Sequence, residues 1–254
     1  MAHLYYDETL TPETLKPGAA LTITGEEARH AVSVARLRTG EQVLIGNGGG
    51  EIAVTRVSDV VKGSAPAFTA VVSELQTPAP SGLKTVLVQA LAQGDRDTRA
   101  VEQTTEFGVN AIIPWAASRS VSLWQNQTKQ QKGQQKWQRI AREAAKQSLR
   151  AVIPEVQRIH TTAELARLCG EAGTLALVLD PRAENRLSRV LGQLPAATDT
   201  LLLIVGPEGG ITETETTSLT AAGAVGVRLG DTVLRTSSAG AAALAVANTV
   251  QEHW

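Results

Sequence analysis

The chain has 254 residues with 24 Lys and Arg against 25 Asp and Glu, and a net charge of −1 argues against a generic polyanion binder. Apolar residues make up 43% and charged residues 19%, the balance of a soluble globular protein of one or two domains. One cysteine, Cys169, excludes an intrachain disulfide framework and a cysteine-rich zinc site, and no apolar run approaches the ~20 residues that span a bilayer.

The opening MAHLYYDETL carries acidic residues and no apolar core, so no signal peptide is expected and the protein reads as cytoplasmic. From residue 19 to 75 the pattern is β-rich: ALTIT, EQVLIG, EIAVTRV and AFTAVVSEL are short runs with β-branched residues and partial alternation. Glu26 to Leu37 predicts a short helix, with Thr24 as its N-cap. Gly46-Asn47-Gly48-Gly49-Gly50 reads as a hairpin connection. A dinucleotide fingerprint would need glycine where Glu51 stands. The proline-rich seam TPAPSG (77–82) marks the domain boundary.

Beyond the seam, strands and helices alternate. LKTVLVQAL is a strand, Asp97 to Phe107 a helix stopped by Gly108, NAIIPW a strand, and Gln134 to Arg150 a long helix. The Gln/Lys-rich stretch Gln125 to Gln138 is expected to be exposed. LALVLD and LLLIV are strands, Glu213 to Ala222 a helix closed by Gly223, AVGVRLG a strand, and Ser238 to Gln251 the last helix. Continuous apolar strands interleaved with helices imply an α/β domain with a parallel sheet covered on both faces. Charge is uneven along this order: residues 82–160 hold 12 Lys and Arg against 6 Asp and Glu. Such a basic middle suits a nucleic-acid face or one solvated helix surface.

In open α/β sheets ligands bind beyond the carboxyl ends of the strands. Three strand ends carry unusual residues: Leu179-Asp180-Pro181, Val205-Gly206-Pro207-Glu208-Gly209-Gly210, and Leu229-Gly230-Asp231. Glycines there let the backbone approach a ligand, and Pro207 stiffens the corner. No G-x-x-x-x-G-K-[ST] stretch exists for phosphate, and a rigid backbone loop suits an adenine edge or a ribose better. Arg235-Thr236-Ser237-Ser238 then leads into a helix of Ala, Val, Leu and Gly. That places Arg235 either in a salt bridge or ready for a ligand. A helix so apolar is also expected to meet a second subunit.

GPEGG after an apolar strand, then LGDTVLRT before a small-residue helix, resembles the C-terminal half of the SPOUT class of RNA methyltransferases. Within that class the chain is similar to the ribosomal RNA small-subunit methyltransferase E family, which methylates N3 of a uridine in 16S rRNA. His30 with Arg36 and Gly40, QALAQGDR (89–96), EFGV (106–109), Pro114 with Arg119, and EAAKQSLRAVIPEV (143–156) support the resemblance in the family's order. It implies a PUA-like RNA-binding β-barrel over residues 1–76. Residues 83–254 would form a SPOUT α/β domain with a trefoil knot that holds S-adenosylmethionine and makes a homodimer. It places the cofactor on Leu179, Val205, Gly206, Pro207, Glu208, Gly209, Gly210, Leu229, Gly230, Val233, Leu234, Arg235, Thr236, Ser238 and Ala239. Two departures stand out: Gln103 where many members have lysine, and Ser237 where many have glutamate after LRT.

A uridine N3–H is weakly acidic, so its methylation needs proton removal, stabilisation of charge on O2 and O4, and positioning. Arg235 is expected to stabilise that charge with its planar fork, and Glu208 to take the proton if burial raises its pKa. Arg29, His30, Arg36 and Arg38 in the first domain, and Arg96, Arg119, Arg142 and Arg150 in the second, are the expected RNA contacts. The partners expected are 16S rRNA, within the small ribosomal subunit, and a second copy of the chain, with no membrane and no metal. Two rivals remain: a SPOUT enzyme acting on another RNA, such as a ribose 2′-O, and a non-catalytic RNA-binding assembly factor.

Overall fold

The computed structural model describes residues 3–77 and 82–254, so the core of the seam read as a boundary, residues 78–81, lies outside the described residues. The chain forms two compact units, one of residues 1–80 with 145–153, the other of residues 81–144 with 154–254.

The first unit is built on β1 (Leu4–Tyr6), β2 (Ala20–Ile23), α1 (Gly25–Arg29), β3 (Gln42–Gly46), β4 (Ile52–Val61) and β5 (Ala67–Gln76). These strands form one sheet in the order β1-β3-β4-β5-β2, antiparallel except for β1 beside β3. Tyr5, Leu21, Ile23, Val43, Ile45, Val57, Phe68 and Val72 fill its core. The predicted helix over 26–37 is cut short. It begins at Gly25, and Thr24 sits at the N-cap with no side-chain capping bond. After Arg29 it widens into a π-helical turn, His30–Val34. Arg36 then takes a left-handed φ of 57°, which lets Leu37 return to the core with its N–H on the Ala31 carbonyl. In the Gly46 to Gly50 connection, Asn47 Oδ1 accepts the N–H groups of Gly49 and Glu51.

The second unit runs β6 (Lys84–Ala90), α2 (Arg96–Glu106), β7 (Ala111–Trp115), α3 (Gln127–Gln147), β8 (Glu155–Val156), α4 (Thr162–Cys169), β9 (Thr174–Leu179), β10 (Asn185–Arg186), α5 (Leu187–Leu191), β11 (Thr200–Val205), α6 (Glu213–Ala221), β12 (Val225–Arg228) and α7 (Thr236–Val250), with the end of α3 counted in the first unit. Its seven strands are parallel, in the order β10-β12-β9-β11-β6-β7-β8. Alternate residues of each central strand enter opposite cores. Leu87, Leu201, Leu203 and Val205 pack with Val101, Trp137, Leu187 and Leu244 of α2, α3, α5 and α7. Val86, Val88, Leu202 and Ile204 pack with Leu165 and Leu219 of α4 and α6.

The Gln/Lys-rich stretch is the first half of α3 and is mostly exposed, as expected, with one docked side. Trp137 is buried against Trp124, while Gln134 and Gln138 donate to the Val156 and Pro154 carbonyls. Gln138 also accepts the Val156 N–H, so an amide side chain stands in for a neighbouring strand. The apolar α7 is covered by its own chain: Gly240, Ala243, Leu244 and Ala247 are buried in contact with α2, α5 and β11. A Cβ on Gly240 would lie 2.8 Å from Leu87 Cδ1, so the small residue sets this close approach. The apolarity of α7 therefore does not by itself require a partner subunit.

Candidate active site

The loops that follow β9 and β11, with the segment leading into α7, enclose a cleft of about 530 Å³ at the carboxyl edge of the parallel sheet. Its walls include Leu179, every residue from Val205 to Gly210, every residue from Val233 to Thr236, and Ala239. Most of the expected cofactor set is therefore brought together. Leu229 and Gly230 line a smaller adjoining hollow of about 60 Å³ that shares Leu179, Val233, Leu234 and Ala239. Ser238 lines neither; it is exposed on the first turn of α7, its N–H bonded to the Arg235 carbonyl. Arg96, Arg119, Asp180, Pro181, Arg182 and Ile211 also line the cleft, and of these the cofactor reading had named none.

A short hydrogen-bond chain sets the geometry of the two loops. Buried Gln89 at the end of β6 donates to Thr236 Oγ1 at 2.9 Å, and Thr236 Oγ1 donates to the Gly206 carbonyl at 2.8 Å. The start of α7 is thereby fastened to the corner after β11. Arg235, at the N-cap of α7, is exposed to the cleft and has no ion-pair or side-chain hydrogen-bond partner among the described residues. The salt-bridged alternative for this arginine is thus not what the fold contains.

Glu208 is tied down. Its Oε1 accepts the Gln93 N–H at 2.9 Å and Arg96 NH1 at 2.7 Å. Burial pushes its pKa up, but these donors outweigh that and hold it below the usual carboxylate range. The condition set for Glu208 as a base, a pKa raised by burial, is not met; its carboxylate positions Arg96 and the loop after β6. Arg119 donates to the Gly209 carbonyl at 3.0 Å, and a Cβ on Gly209 would lie 3.1 Å from Arg119 Cβ. Gly210 holds a φ of 73°, which only glycine adopts without strain. Asp180 accepts the N–H, Nε and NH2 groups of Arg182, which lower its pKa.

The residue that sequence reasoning passed over is Glu215. It is 4% exposed, and its two carboxylate oxygens accept the Ser118 N–H and hydroxyl, the Thr162 hydroxyl, and the Thr212 N–H and hydroxyl. One carboxylate so joins the loop carrying Arg119, the start of α4 and the end of the loop that begins at Gly206. Burial pushes its pKa up, and the donors on Ser118 and Thr212 bring it below the usual range. The T-x-x-E spacing of Thr212 and Glu215 was the available signal, that of a capping box, which the structure contains.

Of the expected RNA contacts, Arg29, Arg36 and Arg38 are exposed on the first unit and His30 is half-buried there, its Nδ1 without a partner among the described residues. Arg150 also belongs to that unit, and burial lowers its pKa, which counts against a solvent-facing phosphate contact. Arg142 is half-buried and bonded to Glu143. Arg96 and Arg119 belong to the cleft. Gln103 stands half-buried on α2 with its Oε1 without a partner among the described residues, and Ser237 lies half-buried in the first turn of α7. Cys169 is buried, its thiol pushed up to about 11, and so no nucleophile at neutral pH. No group of His, Cys, Asp and Glu among the described residues could hold a metal ion, and no described helix is long and apolar enough to cross a membrane.

Residues 79–248 match the family described as RNA methyltransferase domain, and residues 23–65 the family described as RNA methyltransferase PUA domain. The ribosomal RNA small subunit methyltransferase E of Mycobacterium tuberculosis is 39% identical over 257 residues, covering 100% of this chain and 94% of the relative. That of Bacillus subtilis is 30% identical over 234 residues, covering 91% and 90%. The crystal structure of the Neisseria gonorrhoeae protein of that name, bound to S-adenosyl methionine, superposes with a TM-score of 0.84 at 27% identity over 98% of each chain. The chain belongs to the ribosomal RNA small subunit methyltransferase E family. Its second unit has the parallel-sheet α/β fold of SPOUT type and its first the PUA-like fold, as the resemblance of its motifs implied.

Proposed function

We propose that this chain methylates N3 of a uridine in 16S rRNA of the small ribosomal subunit, using S-adenosylmethionine. The observation that carries the reading is the meeting of the Gly206 to Gly210 corner and the Val233 to Thr236 segment around one cleft, with an uncommitted arginine inside it. The cleft fits the cofactor: its volume suits a ligand of that size, apolar Leu179, Leu234 and Ala239 suit an adenine, and Gly209 and Gly210 leave the backbone bare. S-adenosylmethionine, when bound, supplies a methyl group already activated by its sulfonium. The chain's own task is to present the base. Arg235 donates to a uridine carbonyl as negative charge spreads onto it, while Arg119 and Glu215 hold the loop that faces it. Glu208, held ionised by Arg96, serves as a positioning residue. The proton on N3 then leaves to solvent or to a group on the RNA.

The chain is proposed to act in the cytoplasm as a homodimer. Val233 and Leu234, 78% and 39% exposed at the rim of the cleft, are the apolar residues that a second copy would cover. Arg36 and Arg38 on the first unit are proposed to contact RNA phosphates.

Radiolabelled methyl transfer to small subunits from cells lacking the activity, followed by digestion and mass spectrometry of the nucleosides, tests the reading. N3-methyluridine is expected. A 2′-O-methylated nucleoside would move the enzyme to the ribose-modifying branch, and no transfer despite cofactor binding would leave an assembly factor. Gly209→Val is expected to weaken cofactor binding about tenfold or more by calorimetry, since its side chain meets Arg119 and displaces the loop. The same variant should melt within a few degrees of the parent. Undiminished cofactor affinity in a folded variant would count against the corner as the binding site.

A further inference from the structure

On α3 the residues Lys129, Lys132, Lys136 and Arg139 fall three, four and three positions apart, and all four side chains are exposed. That spacing stacks them in one stripe along the helix, about 15 Å long at 1.5 Å per residue. The opposite side of α3 is the one that Trp137, Gln134 and Gln138 dock. Between Gln127 and Arg142 the helix has five Lys and Arg and no Asp or Glu. Lys132, Lys136 and Arg139 have no ion-pair partner among the described residues, and Lys129 Nζ reaches only the Gln125 amide. Solvated helix faces relieve such repulsion by setting glutamates one turn from lysines; here the exposed positions between the cations are Gln131 and Gln135. The first glutamate, exposed Glu143, stands one turn beyond Arg139 and pairs with Arg142. Glutamine adds donors and acceptors suited to phosphate oxygens and 2′-hydroxyls without adding charge.

Lys136 acts electrostatically on the buried carboxylate of Asp97, and Asp97 follows Arg96, which lines the cleft wall. Helix α3 is anchored by its amide bonds to the strand beside it and does not depend on the cations for its place.

We infer that the stripe Lys129–Lys132–Lys136–Arg139 is a binding track for the phosphate backbone of the substrate RNA. The inference rests on the RNA-methyltransferase reading above and extends it to a surface outside the cleft. A straight row of point charges reads a backbone and not bases, so the track contributes affinity and register while the cleft selects the nucleotide.

The test is a triple variant, K132Q/K136Q/R139Q, whose glutamines match their neighbours on an exposed helix. Filter binding of radiolabelled 16S rRNA over a range of salt is compared with the parent. The expected result is weaker binding and a slope of log affinity against log salt shallower by about 2 to 3, with calorimetric affinity for S-adenosylmethionine unchanged. A charge-conserving variant, K132R/K136R/R139K, should restore both affinity and slope, because phosphates meet either cation. Wild-type slope and affinity in the folded triple variant would overturn the track. So would a loss confined to intact small subunits with naked RNA bound normally, which would place an acidic protein on this face. Methyl transfer by the parent chain is scored in parallel, so a failure of the enzymatic reading shows separately as an inactive parent.

Discussion

Replacing Arg235 with alanine is expected to slow methyl transfer by about 10²–10³, or roughly 2.7–4 kcal/mol, the usual cost of one preorganised donor to a developing oxyanion. The donor acts mainly in the transition state, so affinity for S-adenosylmethionine should stay within a few-fold. Arg235→Lys should recover little, because an ammonium does not reproduce the planar fork. The fold predicts a small change in melting temperature, since no carboxylate pairs with this guanidinium among the described residues. Single-turnover kinetics with saturating cofactor, run beside thermal melts, checks both halves. A large drop in melting temperature with near-normal turnover at low temperature would make Arg235 scaffolding.

Glu215→Ala should be the most destabilising substitution among the residues that support the cleft. It strands the Ser118 and Thr212 donors in a site where the carboxylate is 4% exposed, and each buried unsatisfied donor costs about 1–3 kcal/mol. For a chain of this size the melting temperature should fall by roughly 5–15 °C. The effect has a pH signature. A carboxylate whose folded pKa is depressed contributes stability that is fully present above its unfolded value, about 4.3, and is lost as pH falls through the lower folded value. Unfolding free energies from pH 7 downward should therefore drop more steeply below about pH 4 in the parent than in Glu215→Gln, which cannot ionise. The Gln variant keeps an acceptor and should retain part of the stability and of the cofactor affinity. Parallel pH profiles for the two proteins would rule out the carboxylate as the fastening point.

Legibility in the sequence followed the physical signal. Strands such as Leu201 to Val205 announce themselves because both faces of the parallel sheet are buried, leaving a continuous apolar run. The two-residue strands Glu155–Val156 and Asn185–Arg186 sit at the sheet edges and carry no such pattern. Helix α4 was missed although Thr161 and Glu164 spell its capping box, since its eight residues make only about two turns. The first half of α3 hid because its burial uses amide hydrogen bonds and one tryptophan in place of an apolar stripe. At the cleft, the glycine corner and the arginine before α7 were visible as strand-end chemistry. The partners of Glu208 and Glu215 lie 112 and 97 positions away in sequence at Arg96 and Ser118, and no local pattern reports such pairings.

Nine residues, Ala145–Ile153, are counted with the first unit though they are made long after it. Ala145 and Ala151 join Leu4, Tyr6 and Ile52 in one apolar cluster, Tyr6 donates to the Arg150 carbonyl, the Gly50 N–H bonds Ala151, and Lys146 pairs with Glu27 at 3.1 Å. During synthesis, residues 3–77 therefore leave the ribosome without the piece that covers this cluster. The usual order, in which an N-terminal domain folds before its successor emerges, is closed to this chain at that face until residue 153 is out. A gene cut at the seam would separate the first unit from its own cover, and grafting that unit onto another enzyme would require carrying the distant nine residues with it.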